Sequence, residues 1–264
     1  MRHFLFALFF SLVLCPAIYA DDPLQTGVII HRKYKMKEVE REIPYTLYLP
    51  KNYDGTKETP VLFALHGLFS DCYQIIRYPG IVPAAEKNNF IVVAPMGYNN
   101  QGWYGMYGKE KRGDKPKNLG ELSERDVINV MTMVRKEFNV DAQRIYLYGH
   151  SMGGGGCFHL LSKYPNQFAA IATVAPAFFV ADRGQRLKDN NRPIMIIQGT
   201  KDILVNINAT RSLVKEIKHP EKKVDYIEVE GAGHLKPAWS YWNEIFSFYH
   251  AAKLPKKAPL PVFK

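Results

Sequence analysis

The chain has 264 residues, of which 47% are hydrophobic, and a formal net charge of +10 at pH 7. This length and apolar content predict one large domain with an ample core rather than two small domains. The lysines are scattered, and neither a zinc-type spacing of cysteine and histidine nor a nucleic-acid recognition module occurs. The positive charge is therefore interpreted as a solvated face, and nucleic-acid binding is excluded as a function.

The first 20 residues differ in kind from the remainder. A basic start at Arg2 is followed by an apolar run over residues 4–15 and a short segment that ends at Ala20. Because the run is too short to span a membrane, residues 1–20 are predicted to be a secretory signal peptide cleaved after Ala20. A lipoprotein signal ending at Cys15 is the alternative. We therefore expect a secreted or periplasmic protein without stable membrane insertion.

Two cysteines remain after the predicted signal peptide, Cys72 and Cys157. An oxidising compartment would allow them to pair. Separate burial is the preferred interpretation, because free cysteine is among the residue types most often found in protein cores.

Strand and helix patterns alternate through the first part of the mature chain. Residues 28–50 contain two strand patterns, and the second, over 41–49, runs into the turn sequence PKNYDG. Residues 61–65 and 91–94 are continuous apolar runs, which indicate strands buried on both faces of a sheet. A helix is predicted between them, over residues 81–88.

The same alternation continues to the end of the chain. An acidic first turn at Ser123 predicts a helix that ends near Phe138. Periodicity predicts further strands over residues 145–148, 170–175, 194–198 and 224–229, and further helices over 208–218 and 237–252. This order predicts a doubly wound, mostly parallel sheet of the α/β class, as a single catalytic domain over residues 21–253. The Pro- and Lys-rich tail over 254–264 is expected to be loose.

The strongest motif in the chain is the sequence Gly149-His150-Ser151-Met152-Gly153. It has the form G-x-S-x-G and lies between a strand pattern and a helix pattern, which predicts a sharp turn that exposes the hydroxyl of Ser151. Glycine is needed on both sides, because a Cβ there would collide with the turned-back backbone.

A serine hydroxyl is a weak nucleophile at neutral pH and needs an adjacent base. The carboxyl ends of parallel strands gather at one edge of a sheet, so partners for the serine are expected there. Asp202 follows the strand IMIIQ and His234 follows YIEVE, in the chain order Ser, Asp, His. The sequence therefore predicts Ser151 as nucleophile, His234 as its base and Asp202 as the group that orients the imidazole.

An oxyanion intermediate needs preorganised N–H donors. The N–H of Met152, directly after the serine, is one predicted donor, and that of Leu68, in the loop after LFALHG, is the second. The remaining histidines near these motifs are interpreted as structural, with His66 packed at the base of that loop, His150 and His159 as packing or pocket residues, and His219 at the surface.

Four segments, LFALHG, GHSMGG, QGTKD and GAGH, resemble the α/β-hydrolase superfamily in order and separation, over nearly all of the mature chain. Within it, IPYTLYLPKNYD and RIYLYGHSMGGGG resemble secreted carboxylesterases of the feruloyl esterase, acetylxylan esterase and polyhydroxyalkanoate depolymerase group. The catalytic domains of prolyl oligopeptidase-type peptidases are nearly as similar. The resemblance implies the same triad, Ser151, Asp202 and His234, and the same oxyanion donors, Leu68 and Met152.

The loop over residues 97–108 is rich in glycine and aromatic residues and leaves a strand end on the same edge of the sheet. Trp103 and Tyr104 are predicted to bind substrate and, with Tyr107, to form the wall of an open cleft. The alternative is that these rings only anchor the loop by packing. No long apolar insertion follows the strand over 170–175, so no large lid is expected.

The sequence as a whole predicts a secreted serine carboxylesterase that works through an acyl-enzyme intermediate, without a metal or an organic cofactor. The expected substrates are short or aromatic acyl esters, either small or linked to polysaccharide, rather than long-chain triglycerides. An oligopeptidase-type serine peptidase and a non-catalytic surface-binding homologue are the alternatives. The presence of all three triad residue types favours an enzyme over a non-catalytic protein.

Overall fold

A computed structural model describes residues 25–109 and 113–263 of the chain, and the predicted signal peptide lies outside these residues. The strands are β1 (Ile29–Met36), β2 (Arg41–Tyr48), β3 (Thr59–Leu65), β4 (Ile91–Pro95), β5 (Val140–His150), β6 (Ala170–Val174), β7 (Ile194–Gly199) and β8 (Val224–Val229). The α-helices are α1 (Cys72–Ile75), α2 (Ile81–Asn88), α3 (Leu119–Glu137), α4 (Met152–Lys163), α5 (Arg183–Leu187), α6 (Ile207–Ile217) and α7 (Trp242–His250). Short 3₁₀ turns cover Trp103–Gly105 and Lys236–Trp239. None of the helices in these described ranges is long and apolar enough to cross a membrane.

The eight strands of the described chain form one sheet in the order β1-β2-β4-β3-β5-β6-β7-β8. β2 pairs antiparallel with both β1 and β4, whereas the other neighbouring strands pair parallel. β3, β4, β6 and β7 are buried at every position, as expected for apolar strands with helices on both faces. The predicted single-domain α/β fold with a doubly wound, mostly parallel sheet is confirmed.

The direction in which strands are added to the sheet changes at β3. From β3 the chain passes to β4 on one side and later to β5 on the other. Such a change leaves a crevice at the carboxyl ends of the two central strands, where ligands bind in open parallel sheets. β3 ends at Leu65 and β5 ends at His150, so the loop with Leu68 and the turn with Ser151 both start at this crevice.

Helix α3 begins earlier than predicted, at Leu119 rather than at Ser123. Ser123 and Asp126, two of the polar residues that suggested a first turn, lie inside the helix and are buried, and both bind the backbone of the loop that follows β4. Ser123 Oγ accepts a hydrogen bond from the N–H of Tyr104 at 3.0 Å. Asp126 Oδ2 accepts one from the N–H of Gly97 at 2.6 Å. The helix therefore anchors the loop that the sequence predicts to line the substrate cleft.

Cys72 and Cys157 are both free and buried, which confirms that they are placed separately. Burial raises the pKa of the Cys72 thiol to about 12. It also raises the pKa of the Cys157 thiol well above its usual value. Both thiols therefore stay protonated and contribute to the core as small apolar groups.

The tail over residues 254–263 packs against the domain, and the prediction that it is loose is wrong for these residues. Leu254 and Ala258 are 3% and 6% exposed, and their N–H groups donate to main-chain carbonyls of β5 at 3.0 and 2.9 Å. The guanidinium of Arg135 donates to the carbonyl of Ala258 at 2.7 Å. A proline-rich segment lacks some N–H groups, but its carbonyls remain good acceptors, and α3 and β5 supply partners for them.

Candidate active site

Ser151 occupies a strained turn between β5 and α4. Its φ of 57° and ψ of −116° are unusual for a residue that carries a side chain. The turn closes because both flanking glycines lack a Cβ. A Cβ on Gly149 would lie 2.2 Å from the carbonyl oxygen of Gly153, and one on Gly153 would lie 2.1 Å from that of Leu65. The predicted steric role of the two glycines is therefore confirmed.

The main chain of Ser151 is fixed on both sides. Its N–H donates to the carbonyl of Val174 in β6 at 2.9 Å. Its carbonyl accepts hydrogen bonds from the N–H groups of Gly155 at 3.1 Å and Ala177 at 3.0 Å. These contacts hold the unusual backbone conformation in place, and Ser151 itself remains half-buried rather than enclosed.

The structure brings Asp202 and His234 into direct contact. Asp202 Oδ2 lies 2.8 Å from Nδ1 of His234, and the carboxylate is fully buried. Its other oxygen, Oδ1, accepts hydrogen bonds from the N–H groups of Leu204 at 2.8 Å and Val205 at 2.9 Å. Gln198 donates to Oδ2 through Nε2 at 3.0 Å. Both carboxylate oxygens are therefore satisfied, and the side chain has a single orientation.

These contacts decide the charge of Asp202. Burial alone would raise the pKa of Asp202, but the hydrogen bonds from the Val205 N–H, the His234 ring and the Leu204 N–H hold it below the usual value. The ionised carboxylate favours a proton on Nδ1 of His234. Nε2 of the neutral ring then carries a lone pair that can accept a proton.

The loop after β3 lies beside the serine. A Cβ on Gly67 would lie 3.5 Å from the Cβ of Ser151. His66 is fully buried below this loop, and its two ring nitrogens lie 2.8 Å from the carbonyl oxygens of Gly67 and Met96. Burial lowers the pKa of His66, so the neutral ring donates to one of these carbonyls at a time. The interpretation of His66 as a packed residue at the base of the loop is confirmed.

Two N–H groups at this position are candidates for the oxyanion hole. The N–H of Leu68 has no acceptor among residues 25–109 and 113–263. Met152 is the first residue of α4, so its N–H has no acceptor within the helix. The helix N-terminus also carries a partial positive charge, which favours a negative charge on the substrate oxygen.

The loop over residues 97–108 differs from the prediction at Tyr104. Tyr104 is fully buried, and its hydroxyl donates to the carbonyl of His66 at 3.3 Å. Its ring fills the space above Gly156 of α4, where a Cβ would lie 2.6 Å from it. The prediction that Tyr104 binds substrate is therefore wrong, since this ring packs beneath the site. Trp103 is half-buried and stacks edge-on against Tyr107 with ring centroids 5.1 Å apart, and its role in substrate binding stays a prediction.

The sequence did not predict a group of exposed apolar side chains at this edge of the sheet. One member, Leu68, is itself a predicted oxyanion donor through its N–H. Each of the others lies a few residues from a predicted site residue or from the end of β6, and that adjacency is the signal that could have found them. The members and their exposed fractions are Leu68 (37%), Phe69 (68%), Phe179 (48%), Ile203 (93%), Leu204 (68%) and Leu235 (54%). The loops at this edge of the sheet therefore expose apolar side chains, although the chain as a whole is basic.

The contacts of His150 were also not predicted from the sequence. His150 lies between the predicted base and Tyr78, a residue far away in the sequence. Its ring centroid is 4.7 Å from that of His234, and its Nδ1 is 2.9 Å from the hydroxyl of Tyr78. No local signal predicts this contact, because Tyr78 lies in a different part of the chain. His159 instead pairs with Glu124 at 2.8 Å, and His219 is exposed, in agreement with their interpretation as packing and surface residues.

Known proteins share this architecture. A bifunctional acetylxylan esterase/xylanase of Neocallimastix patriciarum is 29% identical over 173 residues, which cover 65% of this chain and 23% of that protein. An S-formylglutathione hydrolase of Bos taurus is 29% identical over 151 residues, or 53% of each chain. The chain thus spans about a quarter to a half of these relatives. The ferulic acid esterase of Anaeromyces mucronatus has the same fold, with a TM-score of 0.66, 18% identity, and coverage of 90% of this chain and 97% of that one.

A family model extends the similarity beyond any single relative. The Esterase family model matches residues 36–252, from the end of β1 to just after α7, and so includes every predicted triad and oxyanion residue. Because this match covers most of the chain, we conclude that the protein belongs to the Esterase family and has the α/β-hydrolase fold.

Proposed function

We propose that this esterase is a serine hydrolase in which Ser151 is the nucleophile, His234 the general base and Asp202 the residue that orients it. The observation that carries the proposal is the 2.8 Å contact between buried Asp202 and the ring of His234, at the edge where the turn presents Ser151. A serine, an imidazole with a free Nε2 and an ionised carboxylate are the groups that acyl transfer requires.

The chemistry follows from these groups. Nε2 of His234 takes the hydroxyl proton of Ser151 while Oγ bonds to the ester carbonyl carbon, and the N–H groups of Leu68 and Met152 stabilise the oxyanion. The tetrahedral intermediate collapses, and the alcohol leaves with the proton from His234. Water then gives a proton to the same nitrogen and a hydroxyl to the acyl carbon. The bond from the acyl carbon to Oγ of Ser151 breaks, Oγ takes the proton back from His234, and the acid is released. The side chains and N–H groups named supply each step, so the proposal requires no metal or organic cofactor.

Short or aromatic acyl esters, small or linked to polysaccharide, are the proposed substrates. The exposed apolar side chains around the site support binding of an apolar or aromatic acyl group. Half-buried Trp103 offers a ring for stacking in the loop that follows β4. The names of the relatives include an acetylxylan esterase and feruloyl esterases, which is consistent with acyl groups of these sizes.

Export is also part of the proposal, and it rests on the basic, apolar and small-residue pattern of residues 1–20. Expression of the full chain with its own leader is expected to yield exported protein that begins at Asp21. N-terminal sequencing of the exported protein measures this directly. Retention in the cell with Met1 at the N-terminus would contradict it.

Replacement of the proposed nucleophile tests the reaction type. Ser151→Ala should lower kcat for nitrophenyl acetate by roughly 10⁴-fold or more, because the acyl-enzyme cannot form without Oγ. The fold should persist, since the hydroxyl contributes little packing, and circular dichroism and the thermal midpoint check this. Ser162→Ala, in the last turn of the same helix, is the matched control and should keep full activity. Retained turnover in pure Ser151→Ala would refute the mechanism.

The acid of the triad is tested by Asp202→Asn. The amide nitrogen would face the Nδ1 proton of His234 or the N–H groups of the loop, so the ring loses its orientation and kcat should fall roughly 10³- to 10⁴-fold. Asp225→Asn is the control, since that partly exposed carboxylate lies in a long ion pair, 3.8 Å from Nζ of Lys223. Full activity in Asp202→Asn together with loss in Asp225→Asn would mean that the wrong acid is assigned.

Substrate preference is tested at Trp103. Trp103→Ala should raise KM for feruloyl esters roughly 2- to 10-fold more than for acetyl esters, because an aromatic contact is worth about 0.5–1.5 kcal/mol. Trp103→Phe retains a ring and should keep most of the discrimination. Assaying a glutathione thioester and peptide amides alongside these esters also tests for thioesterase and peptidase activity. Equal effects of Trp103→Ala on both esters would contradict the assigned role.

A further inference from the structure

His150, the residue before the proposed nucleophile, forms a bridge to the proposed base. It is 3% exposed, and its Nε2 lies 3.1 Å from the main-chain carbonyl oxygen of His234. On the other side of the ring, Nδ1 lies 2.9 Å from the hydroxyl of Tyr78. Tyr78 in turn packs edge-on against Trp239, with ring centroids 5.8 Å apart. The ring of His150 is thus held between two hydrogen-bonding groups.

The chemistry of the partners fixes the direction of both hydrogen bonds. A carbonyl oxygen can only accept, so Nε2 of His150 carries the hydrogen and donates it to His234. Nδ1 of the neutral ring is then an acceptor, and the hydroxyl of Tyr78 donates to it. Burial, and after it the neighbouring His234, lower the pKa of His150 to about 4, while burial raises the pKa of Tyr78 to about 12. Both groups therefore stay neutral through the range in which esterases are assayed.

We infer that His150, oriented by Tyr78, is a positioning residue that fixes the main chain of His234 and so aligns its imidazole with Ser151. The inference rests on the proposed triad. It assigns a role to the residue between Gly149 and Ser151 beyond filling space in the turn.

The loop that carries His234 explains why such an anchor is needed. The base follows Gly231, which has a φ of +69°, and Gly233, so its backbone is intrinsically permissive. Asp202 holds the ring through Nδ1 alone, about which the ring can pivot. The bond from His150 to the carbonyl of His234 supplies a second fixed point, on the main chain. Misplacement of a catalytic group by about 1 Å can lower a rate roughly 10²-fold.

The electrostatic surroundings suit a neutral donor. The titratable groups that face His150 are Tyr78 and His234, with Asp202 on the far side of the base. When His234 becomes a cation during catalysis, a neutral His150 adds no repulsion, and its hydrogen bond to the carbonyl is retained. A charged residue at the same position would oppose the protonated base.

Three substitutions separate positioning from packing. His150→Leu fills similar space without a donor, and kcat should fall roughly 10²-fold with KM changed less than about threefold. His150→Gln places an amide N–H close to the position of Nε2, and should keep kcat within about tenfold of the unmodified enzyme. Tyr78→Phe keeps the ring and removes the hydroxyl, and should lower kcat roughly 3- to 10-fold. His159→Leu is the matched control, a buried histidine of α4 that pairs with Glu124, and should keep kcat within about twofold.

A double-mutant cycle of His150→Leu with Asp202→Asn distinguishes positioning of His234 from a general structural role of His150. Because both residues hold the same imidazole, the combined loss in kcat should be much smaller than the product of the two single losses. Full kcat in folded His150→Leu, equal losses in the Leu and Gln variants, or a multiplicative cycle would each overturn the inference. If His150→Leu does not fold, Tyr78→Phe decides, and full kcat there would also overturn it. Loss of activity in Ser151→Ala with full activity in His150→Leu would refute positioning and leave the triad intact.

Discussion

The left-handed backbone of Ser151 is the constraint on which the rest of the site depends. The turn requires α4 to start directly against the end of β3, and the carbonyl of Leu65 leaves no room for a Cβ on Gly153. The same close approach brings Gly67, and with it the N–H of Leu68, beside the serine. One packing requirement therefore sets both the exposure of the proposed nucleophile and the position of the proposed oxyanion donors. The main-chain hydrogen bonds of Ser151 to Val174, Gly155 and Ala177 maintain a conformation that would otherwise be unfavourable.

Buried polar groups hold the loops around this turn. Asp126 accepts hydrogen bonds from the N–H groups of Gly97 and Tyr98, two residues with φ near +65°, and from the hydroxyl of Tyr34. Burial raises the pKa of Asp126 to about 6. Because the pKa of Asp126 is higher in the folded protein than in the unfolded chain, the protonated side chain stabilises the fold at acidic pH. This stabilisation is lost as the pH rises through about 6. At neutral pH the buried carboxylate of Asp126 therefore lowers the stability of the fold. Its hydrogen bonds to Gly97 and Tyr98 nevertheless fix the loop that carries Trp103.

The sequence predicted the sheet and the positions of Ser151, Asp202 and His234, because apolar runs mark strands and each of these residues lies in the turn or loop that follows one. It did not predict the burial of Tyr104, since an aromatic ring in a glycine-rich loop looks exposed until Gly156 of a later helix is seen to leave room for it. Contacts between distant segments, such as Tyr78 with His150 and the tail with β5, have no local pattern. Such contacts depend on tertiary packing, which the periodicity of apolar residues along the chain does not indicate.

The central claim is that Ser151 is the nucleophile, and covalent labelling tests it most directly. A fluorophosphonate transfers its phosphonyl group to an activated serine and releases fluoride. Incubation of the protein that begins at Asp21, followed by intact-mass and peptide mass spectrometry, should show one added group, on the peptide that contains Ser151. Prior loss of the base in His234→Ala should slow this labelling strongly. Absence of labelling, or a label on a different residue, would contradict the account.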